Sequence, residues 1–175
     1  MKVTMIKKAI RKLYSKWLCL IGKAIDISSD KRYPGAMLSN FTPYEFTFRG
    51  RKFVSIEGLL QGMKFEDIEK QNRAFAKVGV KAKSYGKKSK WYIEQTLYWQ
   101  GTPMKRDSEE YKNIVREAFY ALAENIDFQQ TLLATGSKRL YHTMGKSDPT
   151  QTILTEEEFC GILTEVRTSL NERRI

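Results

Sequence analysis

The chain reads as an α+β protein: a helix-rich single domain with a small antiparallel β element. Three observations predict this. Capping residues precede apolar runs of helical period at Ser55, Asp107 and Thr155. Only one pair of short aromatic runs, Phe46-Thr47-Phe48 and Phe53-Val54 about Arg49-Gly50-Arg51-Lys52, reads as a hairpin. And 175 residues with 41% hydrophobic and 12% aromatic content suffice for one buried core, which argues against disorder.

Taken in order, the first element is an amphipathic basic helix. Ile6, Ile10, Leu13, Trp17 and Ile21 recur every three to four residues with Lys and Arg opposite. Its apolar run Trp17 to Ile21 is too short for a signal peptide, and no window approaches the ~18 apolar residues that span a bilayer. Membrane-surface binding is compatible with this pattern; packing against the domain or a partner is the expectation. Ser28 to Gly35, polar with Pro34, reads as the loop that follows, so residues 1–30 form helix and linker and 31–175 the domain.

The hairpin leads to Ser55, an N-cap for a helix through Phe65. At 100° per residue Glu57, Gln61 and Lys64 share one stripe, beside Ile56, Leu59, Leu60 and Met63. Gly58 and Gly62 cost this helix roughly 1 kcal/mol each relative to alanine, which calls for close approach of another backbone or a ligand. Glu69 to Ser84 has weaker helical period, interrupted at Gly79. Asp107-Ser108-Glu109-Glu110 resembles a capping box with Asp107 as cap, for a helix whose Tyr111, Ile114, Ala118, Leu122 and Ile126 line one face. Phe128 to Leu133 continues helically toward Gly136, Leu140-Tyr141 suggests a second short strand, and Thr155 to Glu158 is a capping box before the last helix.

Bulk properties narrow the function. A formal net charge of +11 favours a phosphate-bearing or polyanionic partner, nucleic acid among them. Cys19 and Cys160 are too few for a disulfide framework and do not cluster with the lone His142, so a reducing, cytoplasmic setting is expected and a structural metal site is not. No P-loop or dinucleotide-fold glycine fingerprint is present, which argues against NTPase and hydride-transfer chemistry.

Some residue types invite chemistry. Glu57 sits in a first helical turn, where the dipole favours a carboxylate. Lys64 can contact phosphate, pair with Glu57, or act as an amine nucleophile once desolvated. A plain solvated surface helix is the alternative for the whole stripe. Ser39, Asn40 and Phe41 sit in a loop where short polar side chains serve a turn or a ligand, and Phe41 stacks or fills core. His142 suits proton transfer or a structural role. Asp148, before Pro149, is a turn-starter or a water-orienting carboxylate. Lys77 to Trp91 is the densest basic stretch, with Lys87 and Lys88 available for phosphate.

Leu38-Ser39-Asn40-Phe41, Phe46-Thr47-Phe48, Ser55-Ile56-Glu57 and Gln61-Gly62-Met63-Lys64-Phe65 resemble, in order and spacing, the core motif of the NADAR (YbiA-like) family, named for NAD and ADP-ribose. Leu132-Leu133-Ala134-Thr135-Gly136 and Asp148 resemble its second block, and the resemblance covers roughly residues 33 to 170. It implies an N-glycosidase with Glu57, Lys64 and Asp148 catalytic and Ser39, Asn40, Phe41, Gln61 and Gly136 on the substrate, to which residue chemistry adds His142, Lys87 and Lys88. Some relatives remove ADP-ribose from guanine in nucleic acid; others split ribosylated intermediates of riboflavin synthesis. Such hydrolysis builds positive charge at the anomeric carbon, which a carboxylate stabilises, and calls for no metal or redox cofactor. The net charge favours the nucleic-acid substrate, with a ribosyl-phosphate metabolite as the other. The chain departs from the family in one place: Pro149 to Ile153 lacks the tryptophan-glycine pair many members carry after the late aspartate, so an aromatic wall must come from Trp91, Tyr92, Tyr98 or Trp99. A non-catalytic ADP-ribose or nucleic-acid binding module is the alternative.

Overall fold

The computed structural model describes Ile10 and residues 13–173. The chain order is α1 (helical over 13–20), β1 (Ala24–Asp26), β2 (Phe46–Phe48), β3 (Arg51–Phe53), α2 (Ile56–Gly62), α3 (Ile68–Phe75), α4 (Gly79–Gly86) and α5 (Trp91–Glu94). It continues through β4 (Thr96–Trp99), β5 (Thr102–Lys105), α6 (Glu109–Leu122), α7 (Ile126–Leu133), β6 (Arg139–Tyr141), a 3-10 turn (Pro149–Gln151) and α8 (Glu156–Glu172). The fold is helix-rich, with three separate two-stranded ladders among the described residues. Among the described residues no helix is long and apolar enough to cross a membrane.

The β2–β3 hairpin is antiparallel with Phe46 opposite Phe53. Its two-residue turn puts both Arg49 (φ 47°) and Gly50 (φ 74°) in the left-handed region, the geometry that matches strand twist. A second hairpin, β4–β5, turns the same way at Gln100 (φ 51°) and Gly101 (φ 80°). It stands where no strand is expected from sequence: Pro103 interrupts the apolar run, which only an edge strand accommodates. Gln71, fully buried, clamps this hairpin, donating to the Phe65 and Tyr98 carbonyls at 2.7 and 3.3 Å and accepting from the Gln100 amide at 3.2 Å. β6 pairs with β1 in parallel register, Ile25 opposite Leu140, so residues 24–26, read from sequence as part of the stretch ahead of the domain, carry a strand of its sheet.

α2 lies at the centre, all of its residues buried. Ser55 caps it, its Oγ accepting from the Gly58 amide at 3.0 Å and donating to the Lys77 carbonyl at 2.9 Å. The two glycines are explained by α3. A Cβ on Gly58 would stand 2.6 Å from the Lys77 carbonyl oxygen and 3.0 Å from that of Ala74, and one on Gly62 would overlap the Phe75 ring. The interruption expected at Gly79 falls at residues 76–78, which part α3 from α4, and Gly79 opens the second helix. The cap of α6 is Ser108, one residue after Asp107; its Oγ accepts from the Tyr111 amide at 3.2 Å. That helix ends at Leu122, and Asn125 caps α7 through the amides of Asp127 and Phe128, which leaves Ile126 exposed instead of on the core face. The Thr155–Glu158 capping box forms with both of its reciprocal bonds.

The glycines separate two opposing effects of adding a methyl group. Gly58→Ala gains helix propensity but meets backbone oxygens that cannot rotate away, so urea denaturation is expected to show a loss of at least about 2 kcal/mol. Gly161→Ala, inside α8 with open space around it, is expected to gain about 1 kcal/mol in the same assay.

Candidate active-site cavity

A cavity of about 360 Å³ opens beside the buried face of α2. Of the residues singled out from sequence, Ser39, Asn40, Phe41, Glu57, Gln61, Lys64, Lys87 and His142 line it; Gly136, Lys88 and Asp148 do not. Lys83, Trp91, Lys146 and the segment Gln151–Leu154 complete the walls.

Glu57 is brought here by the first turn of α2. Its amide donates to the Asn40 carbonyl at 3.2 Å, which welds the 38–41 loop to the helix start. Its side chain is only 5% exposed, and its carboxylate accepts from Gln61 Nε2 at 3.0 Å, one turn on. The expectation that the helix dipole keeps this acid readily ionised meets a stronger effect. Burial pushes the Glu57 carboxyl above its ordinary value, opposed by Lys83, the Gln61 bond and Lys64. The Gln61 bond also sets that amide's orientation, because a carboxylate only accepts. Gln61 Oε1 is thereby turned away, buried and without a hydrogen-bond partner, and Asn40 Oδ1 is in the same state.

Lys64 stands just beyond α2, which ends at Gly62, in a turn closed by its amide on the Gln61 carbonyl at 3.4 Å. Its ammonium lies 5.8 Å from the Trp91 ring centre. Burial brings its pKa down from 10.5 to about 8; Glu57 pulls upward, Lys83 and Lys146 downward. Trp91, 8% exposed, is the aromatic wall the sequence leaves unassigned among four candidates, whereas Trp99 packs against Phe48, Phe53 and Phe75 in the core. Lys83 lies over the Phe41 ring at 5.3 Å, and with Lys87 and Lys146 it puts exposed ammonium groups at the mouth.

On the far wall, β1 sets the position of His142. His142 Nδ1 lies 2.6 Å from the Ile27 carbonyl, so that nitrogen carries the proton and Nε2 is the basic atom of the neutral ring. Asp26, at the end of β1, holds Thr143 by two bonds, accepting from its amide at 2.9 Å and its hydroxyl at 2.7 Å. No motif marks Asp26 in the sequence, because its partner lies 117 residues away. The floor, Gln151 to Leu154, is tied down from below. Buried Arg106 grips Glu158 through two bonds at 3.0 and 2.6 Å and donates to the Thr152 carbonyl at 2.9 Å, while Tyr111 Oη donates to the Ile153 carbonyl.

The three residues outside the cavity have other engagements. Asp148 is exposed and caps the 3-10 turn, accepting from the Thr150 amide and hydroxyl at 2.9 and 2.7 Å and from Gln151 at 3.1 Å. Those bonds, Thr150's first, hold its carboxyl below the ordinary range. Gly136 takes the left-handed turn after α7 (φ 56°), and Lys88 lies over Tyr85. A wider and more open depression of about 620 Å³ shares Lys64 and Trp91 but lacks Glu57, and its Glu66, Asp67 and Glu94 are balanced by Lys64, Lys70 and Lys90. Its balanced charge suits an anionic ligand less well than the cavity, where Lys64, Lys83, Lys87 and Lys146 face one carboxylate, Glu57.

Residues 32–168 match the family described as bacteriophage protein GP30.3. An uncharacterized 17.1 kDa protein from the Gp30-rIII intergenic region of Enterobacteria phage T4 is 35% identical over 149 residues, which is 83% of this chain and 98% of the phage protein. The NMR structure of the E. coli protein YbiA is similar in fold, with a TM-score of 0.59 and 17% identity over 87% of this chain and 88% of that one. With most of its domain matched and the T4 relative covered almost end to end, the chain belongs to the bacteriophage GP30.3 family, a NADAR-like family.

Proposed function

We propose that the chain hydrolyses the ribosyl–nitrogen bond of an ADP-ribosylated base, ADP-ribosyl-guanine in nucleic acid being preferred over a ribosyl-phosphate metabolite. The observation that carries this reading is the joint placement of Glu57 and Lys64 in one sheltered cavity ringed by lysines. In the reaction the bond between the anomeric carbon and the base nitrogen breaks and its electron pair stays on the nitrogen, which takes up a proton. Water adds to the carbon. Glu57 receives the water's proton or stabilises the cationic carbon as it forms. Lys83, Lys87 and Lys146 supply cations for the pyrophosphate. Asn40 Oδ1, a buried acceptor without a donor on a residue that lines the cavity, suits a ribose hydroxyl. Trp91 offers an apolar face to a base. The chain's departure from the tryptophan-glycine pattern over Pro149 to Ile153 favours the second reading, a binding module that holds ADP-ribose or nucleic acid without turnover.

Glu57→Gln separates the two readings. With ADP-ribosylated guanine DNA as substrate and mass spectrometry of the released base, the variant is expected to lose about 10²–10⁴-fold in turnover while binding within a few-fold of the parent. An intact protein that binds tightly and releases nothing is the module. The same variant has an independent signature in stability. Because the folded-state pKa of Glu57 is raised, its carboxylate disfavours the fold above the unfolded-state value, and the penalty fades as pH falls and the group is protonated in both states. Glu57→Gln is therefore expected to melt a few degrees higher at neutral pH, with the gain disappearing near pH 4.

Lys64 is tested as an amine. With a pKa of about 8, roughly one lysine in ten is neutral at pH 7, against about one in 2,500 for an ordinary side chain. That neutral fraction can condense with the aldehyde of an opened ribose, expelling water to form an imine. Incubation with ADP-ribose and sodium borohydride, which reduces the imine to a stable amine, is expected to give one adduct on Lys64. Its yield should rise with pH through about 8, and Lys64→Arg should abolish it.

A further inference from the structure

We propose that the outward face of α1 is a docking surface for an anionic lipid bilayer. Ile10, Leu13, Tyr14, Trp17, Leu20 and Ile21 are 60%, 69%, 51%, 53%, 85% and 43% exposed. At helical spacing they fall within an arc of roughly 120°, and the Ile21 amide still bonds the Trp17 carbonyl at 3.1 Å, so the face extends to its end. The other side of the helix is the one that packs on the domain: Ser15 is buried, and Leu18 is packed with Ala24 and Tyr141. The apolar stripe is therefore not the helix's attachment to its own fold. The remaining large exposed apolar side chains among the described residues stand singly along the sequence, apart from the pair Tyr92 and Ile93.

Charge decides what covers this face. The first acidic residue of the chain is Asp26, and the segment before it holds only lysine and arginine among charged residues. Lys16 and Lys23 are exposed at the described end of that segment. A second copy would bring like charge against like charge, on a chain already at +11, with no carboxylate on the helix to answer it. An anionic bilayer answers both features, burying the apolar stripe and attracting the lysines beside it. Tyr14 and Trp17, stacked at 5.9 Å between ring centres on this face, are the amphipathic rings that settle at headgroup depth. α1 also precedes the family match, which begins at residue 32.

The test uses the full chain and flotation with vesicles of phosphatidylcholine alone or mixed with phosphatidylglycerol. Flotation with the mixed vesicles, weak with phosphatidylcholine and reduced by salt, is the expected result. Tryptophan emission should shift to the blue on binding, and Trp17→Phe should remove that shift. The double substitution Leu13→Glu with Leu20→Glu, at exposed positions, is expected to weaken flotation at least about tenfold while leaving thermal unfolding unchanged. Flotation that survives the double substitution overturns the proposal, since charge alone would then suffice. Failure to float with either vesicle overturns it as well. So does a lipid-free dimer in sedimentation velocity that the double substitution dissolves, which would assign the face to a second copy.

Discussion

The approach of α3 and α4 to α2 is the constraint on which the site depends. Two helices meet at ordinary separation when side chains interlock between them, and the backbone-to-backbone gap is then too wide for a carbonyl to lie against the neighbouring helix. Here Gly58 and Gly62 remove that layer, and the Lys77 carbonyl comes close enough to accept from the Ser55 cap. Gly86 repeats the device from the other partner, since a Cβ there would overlap the Gln61 amide. The seam draws α4 inward, and α4 carries Lys83 to the cavity wall with Lys87 at its end. The weak helix propensity of α2 is thus the condition for placing a carboxylate and its counter-charges in one small space.

That placement stores opposed electrostatic preferences. Burial disfavours the charged form of Glu57 and of Lys64 alike, and each partly relieves the other. Neither has an ion pair within salt-bridge distance among the described residues, and Glu57 spends its bond on Gln61 instead. A direct pair would have satisfied both groups and left little for a substrate. Their separation leaves a partly neutral amine and a carboxylate whose proton affinity is raised. Two buried acceptors lack donors in the same region: Asn40 Oδ1, and Gln61 Oε1, which lies against Gly86 of α4.

Much of this was legible locally. Ser55 and Thr155 announce helix starts because capping is a matter of three or four consecutive residues. The stripe Glu57, Gln61, Lys64 faces one cavity because helical period does not depend on what the helix packs against, even though the helix itself stops at Gly62. What was not legible is long-range. β1 has three residues and no alternation to show, and it becomes a strand only through β6, more than a hundred positions later. The β4–β5 turn was hidden by Pro103 within its second strand. Asp148 illustrates the opposite hazard. A motif position identifies a residue type, and here the carboxylate is exposed, outside the cavity, and bonded locally to Thr150 and Gln151.

The Arg106–Glu158 pair shows how such remote contacts still govern the cavity. The guanidinium is 2% exposed and the carboxylate 28%, so burying the charges offsets much of their attraction, and stability alone is a poor reason for the pair. Burial pushes the Glu158 carboxyl upward, yet the bonds from Arg106 and Thr155 bring it below its ordinary value. Apolar replacements would fill the same volume but could not reach the Thr152 carbonyl, which Arg106 Nε holds at 2.9 Å. With the Tyr111 hydroxyl on the next carbonyl, the cavity floor from Gln151 to Leu154 is fixed by directed bonds where a hydrophobic contact would let it slide. The pair's worth therefore lies in direction: it sets the depth of the hollow into which Glu57 looks.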